Sequence, residues 1–138
     1  MIDTGKTVII LSKKGRIIDK KVVNESLRDT IKKVAKEALE KWEPFESGFD
    51  IIPYEHEVEK PLPLKPEEVD IILKLNPIRM KDRVLIKIPM FIVSYKNYRM
   101  GEQTIDEEVY VVAPYITDEY IKIIEEIAVL TTSEEAQQ

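Results

Sequence analysis

The amino-acid sequence predicts an α+β fold: a mainly antiparallel sheet built from two hairpins and one further strand, packed by two main helices. Three observations carry this. Two pairs of β-branched, apolar runs are each joined by a turn that contains glycine, in residues 7–23 and 84–113. Two other stretches repeat apolar residues at helical spacing, one ending at Trp42 and one after Ala128. The resulting order, ββα–β–(α)–ββα, groups strands into hairpins and favours an antiparallel sheet. The 138 residues suit one domain. It is placed at 1–130, with 131–138 as a polar C-terminal tail that frays.

Thr7-Val8-Ile9-Ile10-Leu11 reads as the first strand, and Arg16 to Val23 as its partner. Gly15 supplies the positive φ of a three- to four-residue loop between them. Asn24 or Ser26 caps the first helix, and Ser26 with Asp29 resembles a capping box. Leu27, Ile31, Val34, Ala38 and Trp42 form its apolar stripe, Ala35 and Leu39 widen it, and Pro44 ends it. Trp42 is expected to be buried against the sheet. Residues 48–60 lead from a loop into a strand, which Pro53 either pushes to a sheet edge or splits with a bulge. Pro61 to Pro66 is a polyproline-like connector whose Leu62 and Leu64 dock on the core.

Residues 66–75 read two ways. Pro66-Glu67-Glu68 is a good start for a third, short helix, which is the favoured reading. Val69 to Leu75 also alternates like a strand. Val84 to Tyr95 and Thr104 to Ala113 form the second hairpin, turning near Gly101. Thr117 is the expected N-cap of the last helix, with Ile116 and Ile121 as a hydrophobic staple. Tyr120, Ile124, Ile127 and Ala128 are its buried stripe.

Composition narrows the function classes. Hydrophobic residues make up 43% and charged residues 34%, which excludes a disordered chain. No apolar run approaches the ~20 residues of a membrane-spanning helix, and residues 1–5 lack a signal-peptide pattern, so no membrane partner is expected. Cysteine is absent, which excludes disulfides, thiolate metal sites and cysteine nucleophiles. Lysine (16), glutamate (18) and isoleucine (20) dominate while asparagine and glutamine number three each, the pattern of a thermophile's cytoplasmic protein. An A+T-rich genome also favours isoleucine and lysine. Residues 1–41 hold eleven basic and six acidic side chains, whereas 42–138 hold ten and twenty. With a pI near 5.1, long-range attraction to phosphate is opposed, so nucleic acid is a disfavoured partner.

His56 is the only histidine. On an extended segment Tyr54, His56 and Val58 share one face and Glu55, Glu57 and Glu59 the other. Carboxylates two apart on a strand stand about 6–7 Å apart and diverge, so the row is expected to hold no divalent metal. The five serines include no G-x-S-x-G elbow, and the four glycines are too scattered for a phosphate-binding loop. No catalytic residue, cofactor or metal is assigned. The candidate polar site is Tyr54 with His56, beside the Pro61–Pro66 connector.

Ser94 to Arg99 interleaves basic and aromatic residues, but Glu102, Asp106, Glu107 and Glu108 oppose it, so cross-strand ion pairs are the simpler reading. The first hairpin carries Lys6, Lys13, Lys14, Arg16, Lys20 and Lys21 without an aromatic ring, which reads as a solubilising surface. Strand 84–95 is mostly apolar on both sides: Val84, Ile86, Ile88, Met90 and Ile92 on one, Leu85, Phe91, Val93 and Tyr95 with Lys87 and Pro89 on the other, and a bulge at Pro89 would swap the later residues without changing this. An antiparallel sheet with one wet face alternates instead. Leu85, Phe91, Val93 and Tyr95 are therefore the candidate interface of a homodimer, or of a complex with another protein. The competing explanation is a monomer whose first and last helices cover opposite faces.

The stretches VEKPLPLKPEEV (58–69), VLIKIPMFIVSY (84–95) and VVAPYITDE (111–119) resemble a family of small archaeal proteins of unknown function. The resemblance spans most of the chain. It implies an archaeal, cytoplasmic protein and assigns no activity to any residue. The function expected from the residues is a non-enzymatic module that self-associates or binds a protein. The alternatives are a small enzyme or ligand binder with a pocket near His56, and a nucleic-acid accessory protein using the first hairpin.

Overall fold

The computed structural model describes residues 4–42, 47–98 and 105–132; the side chains at 41–42, 47–49, 95–98 and 105–107 fall outside that description. Along the chain run β1 (Thr7–Lys13), β2 (Arg16–Val23), α1 (Leu27–Trp42), β3 (Ser47–Pro61), α2 (Pro66–Lys74), β4 (Ile78–Arg79), β5 (Arg83–Tyr98), β6 (Ile105–Pro114) and α3 (Asp118–Thr132). The fold is α+β, as the hairpin pattern predicts. The six strands make one antiparallel sheet in the order β2-β1-β6-β5-β3, with β4 paired to the start of β5.

The first hairpin is tighter than its sequence implies. It closes through Lys14 and Gly15 alone, with φ of 50° and 73°. A two-residue hairpin connection matched to strand twist needs positive φ at both positions, and the lysine accepts one of them. Further along, the β1–β2 register shifts between Leu11 and Ser12, leaving Ile18 as the extra residue of a β-bulge, 58% exposed.

Alternation along the strands sends side chains to two cores. On one face Val8, Ile10, Ile86, Ile88, Met90, Val109 and Val111 pack beneath α2 and α3, which contribute Ile72, Tyr120, Ile124 and Ala128. On the other face Ile9, Val93 and Val112 pack beneath Leu27, Val34 and Ala38 of α1. The helices therefore lie on opposite faces, and the centre of the sheet is buried on both sides within one chain. Each fully buried aliphatic side chain contributes about 1.5–3 kcal/mol, so this layering accounts for the strands that read as apolar on both faces. A second copy is not needed to cover the sheet centre.

Local signals explain the helices. Ser26 Oγ accepts the Asp29 N–H at 3.1 Å and starts α1. Leu39 is 49% exposed, so the buried stripe is narrower than the sequence implies. Pro44 and the side chain of Trp42, whose burial the stripe predicts, lie outside the described residues. Residues 66–74 are helix, not strand: Pro66 opens α2, and Glu68 Oε1 accepts the Lys65 N–H at 2.9 Å. α3 runs through Thr132, beyond the boundary that polarity alone draws at 130. The cause is a polar latch: Ser12 Oγ donates to the Ala128 carbonyl at 2.8 Å, and the Gly15 N–H donates to Thr132 Oγ1 at 3.0 Å. The rest of the expected tail, 133–138, and the turn near Gly101 lie outside the described residues.

β3 forms an edge of the sheet, one of the two outcomes Pro53 allows, and its register with β5 is unbroken from Ser47 to Pro61, so the bulge does not occur. Pro89 introduces no bulge. It sits where β5 has β3 on one side and neither β4 nor β6 on the other, so its missing N–H disrupts no ladder.

Candidate functional site

Tyr54 and His56 share a face of β3, as their spacing requires, and stand opposite Met90 and Ile88. Tyr54 is 42% exposed and His56 half-buried. Their rings are 6.1 Å apart, and Tyr54 Oη lies 3.4 Å from His56 Nδ1, a long contact for a hydrogen bond. Along the same face Val58 packs on the core, and Lys60 reaches a buried polar cluster that the sequence reading missed.

Lys60 Nζ lies 3.1 Å from Glu119 Oε1 and 3.5 Å from Glu68 Oε2, and 5.6 Å from the centre of the Tyr120 ring. Glu68 is 1% exposed. Burial pulls the Lys60 ammonium pKa down, but the hydrogen bond to Glu119 and the charge of Glu68 more than offset it, and the net direction is upward. The same hydrogen bond holds the Glu119 carboxyl below its ordinary value. Burial, followed by the charges of Glu68 and Glu119, pushes the Tyr120 hydroxyl up to about 12. Glu68 Oε2, Tyr120 Oη and Thr117 Oγ1 are buried without a hydrogen-bond partner; Oε2 faces the Lys60 ammonium at 3.5 Å. An unpaired buried polar group costs about 1–3 kcal/mol.

Beside this cluster a cleft of about 500 Å³ opens between the starts of α2 and α3, lined among others by Lys65, Glu68, Ile71, Tyr115, Thr117 and Glu119. Neither Tyr54 nor His56 lines this cleft. The signal that could have revealed the cluster is the capping glutamate: a buried N3 carboxylate needs a cation, and Lys60 precedes the connector on the inward face of β3. A smaller cleft, about 190 Å³, lies between α1 and the first hairpin, with Asp19, Lys21, Lys33 and Glu37 at its rim. Lys33 is hydrogen-bonded to Glu25, which raises its pKa.

The two open edges of the sheet differ in charge. β2 carries Arg16, Lys20 and Lys21 against Asp19, with Ile18 and Val22 exposed. β3 carries Asp50, Glu55, Glu57 and Glu59 against Lys60, with Ile51, Ile52 and Tyr54 exposed. Lys20 pairs with Glu125 at 2.8 Å and Arg83 with Glu59 at 2.7 Å. Arg16, Lys21, Glu55 and Glu57 form no ion pair among the described residues.

The candidate interface residues separate. Val93 is fully buried beneath α1 and Phe91 packs beside it, while Leu85 lies half-exposed at the other end of the strand. The side chain of Tyr95, and the basic and aromatic side chains from Lys96 to Arg99, lie outside the described residues. Among the described residues no three His, Asp or Glu side chains are grouped to hold a metal ion, and no helix is long and apolar enough to cross a membrane.

No curated protein and no solved structure is significantly similar to the chain. A family model does match it, over residues 6–133, which include every element from β1 to α3. The chain belongs to that family, described as "Uncharacterized protein conserved in archaea (DUF2286)".

Proposed function

We propose that the protein is a non-catalytic, self-associating module, with a dimer as its smallest assembly. The observation that supports this is where the exposed apolar side chains stand. Ile18 and Val22 lie on β2, and Ile51, Ile52 and Tyr54 lie on β3. These are the two open edges of a sheet whose centre is covered on both faces. An edge strand presents unpaired N–H and C=O groups, and apolar neighbours add affinity for another strand. The Lys- and Glu-rich, amide-poor composition supports a thermophilic, cytoplasmic setting for such a module. Sedimentation equilibrium tests the proposal. The expected result is a mass that rises above 16.1 kDa with concentration. A 16.1 kDa species throughout the micromolar range would refute it.

A second reading, a binder of a small polar ligand, is favoured by the three buried oxygens without a hydrogen-bond partner beside the α2–α3 cleft. A thermal shift with a small amine or polyol, removed by Tyr120→Phe, would favour this reading over the first.

A further inference from the structure

We infer that the contact between copies is head-to-tail, with the acidic β3 edge of one molecule docking on the basic β2 edge of the next. This rests on the self-association proposed above and names its surfaces. Three observations support it beyond the presence of two open edges.

The first is charge. β2 has three cations and one anion, and β3 four anions and one cation. Pairing β3 with a second β3 sets glutamates against glutamates, and pairing β2 with a second β2 sets cations against cations. Like charges placed opposite each other destabilise a strand pair, whereas β3 against β2 matches them.

The second is the face on which each charge stands. Lys21 lies opposite Ile9, whose side chain is in the α1 core, so Lys21 is on the α1 face. Arg16 lies opposite Lys13, an even number of residues from Ile9, and shares that face. Glu55 and Glu57 alternate with Ile52, Tyr54 and His56 and fall on the α1 face too, in line with Ile51 beside Val93. Val22 is opposite Val8 on the other face, the face of Ile52 and Tyr54. Two copies set edge to edge with their α1 faces on one side therefore bring cations to carboxylates on that side. In the antiparallel order β2-β1-β6-β5-β3 the two edge strands run in the same direction, so this joint is a parallel one.

The third is length. Proline cannot donate to a ladder, and the stretch of β3 between Pro53 and Pro61 is Tyr54–Lys60, seven residues that hold all three glutamates. β2 is eight residues long. The free segment and the strand that would meet it match in size.

A head-to-tail contact leaves one edge open at each end, so assembly continues into a closed ring or an open chain. The test uses two double variants of the full chain. Glu55→Lys with Glu57→Lys makes both edges basic, and Arg16→Glu with Lys21→Glu makes both acidic. Sedimentation velocity is read at about 0.01 M and about 1 M salt, where the screening length falls from roughly 30 to 3 Å. The wild type is expected above 16.1 kDa at low salt and lighter at high salt. Each variant alone should associate at least about tenfold more weakly. An equimolar mixture should regain the wild-type mass, because each basic edge again meets an acidic one. Recovery in the mixture also shows that both variants are folded. The inference is overturned if either variant alone keeps the wild-type mass or if the mixture stays monomeric. A wild type that is monomeric at every concentration removes the self-association proposal as well. An oligomer indifferent to all four substitutions removes only this contact.

Discussion

The two faces of β5 meet different surroundings along the same stretch of chain. Val84, Ile86, Ile88 and Met90 are 7%, 0%, 0% and 1% exposed, beneath α2, α3 and the connector leucines. Between them Leu85 and Pro89 are half-exposed and Lys87 is exposed; burial on that face resumes with Phe91 and Val93 under α1. The difference comes from the reach of the covering helices. α2, α3 and the connector leucines form one core with Val84 to Met90, while α1 packs where β5 runs beside β6. A strand can therefore be central at one end and one-sided at the other, and its mean apolarity does not distinguish the two.

The largest expected effect breaks this comparison directly. Ile86→Ala should cost about 2–5 kcal/mol and Leu85→Ala less than about 1 kcal/mol in urea unfolding. Equal losses would mean that something covers Leu85, and a concentration dependence would identify it as another copy. Next comes the polar end of the well-covered face. Lys60→Met strands the buried Glu68 carboxylate and should cost about 3 kcal/mol. Adding Glu68→Gln should recover most of that loss, because it removes the charge that lacks a partner; a double variant no better than the single one would show that the pair is not coupled.

The smallest effect is an alkaline one. The Tyr120 hydroxyl is raised from 10.0 to about 12 in the folded state. A raised pKa gives stability that is complete below the unfolded value and lost as pH climbs through the folded one. Unfolding free energy should therefore fall by about 2–3 kcal/mol between pH 10 and 12 on account of this group. Tyr120→Phe should flatten that arm and cost little at neutral pH, since Oη has no hydrogen-bond partner to lose. An unchanged alkaline slope in Tyr120→Phe would contradict the assignment.

Much of the architecture was legible because periodicity is a local signal. Tyr54, His56 and Val58 fall on one face and the glutamates on the other for no reason beyond strand alternation. Ser26, Pro66 and the Leu27–Val34–Ala38 stripe mark helices by themselves. What escaped depends on distant partners. The face on which α1 lies is not written in α1, and so the apolar strands pointed toward a dimer as readily as toward a covered sheet. The Lys60–Glu68–Glu119 cluster joins a strand and the first turns of two helices, each of whose charges reads as an ordinary exposed residue. Lys14 in the hairpin turn escaped because lysine is a poor predictor of positive φ.

β1 is an interior strand of the sheet, and its neighbour β6, with Ile10 beside Val111, is made only after four further strands and two helices. During synthesis at roughly 5–20 residues per second, the first hairpin waits on the order of 5–20 s before that strand exists. Throughout this interval Val8 and Ile10 lack both the strand and the helix that bury them in the finished protein. Pairing across so much chain is also slow, because the entropy of closing the loop is lost before contacts compensate. Lys13, Lys14, Lys20 and Lys21 flank this apolar ribbon on the nascent chain. Charges so placed act as gatekeepers, keeping an unfinished strand from joining the wrong polypeptide until its own partner leaves the ribosome.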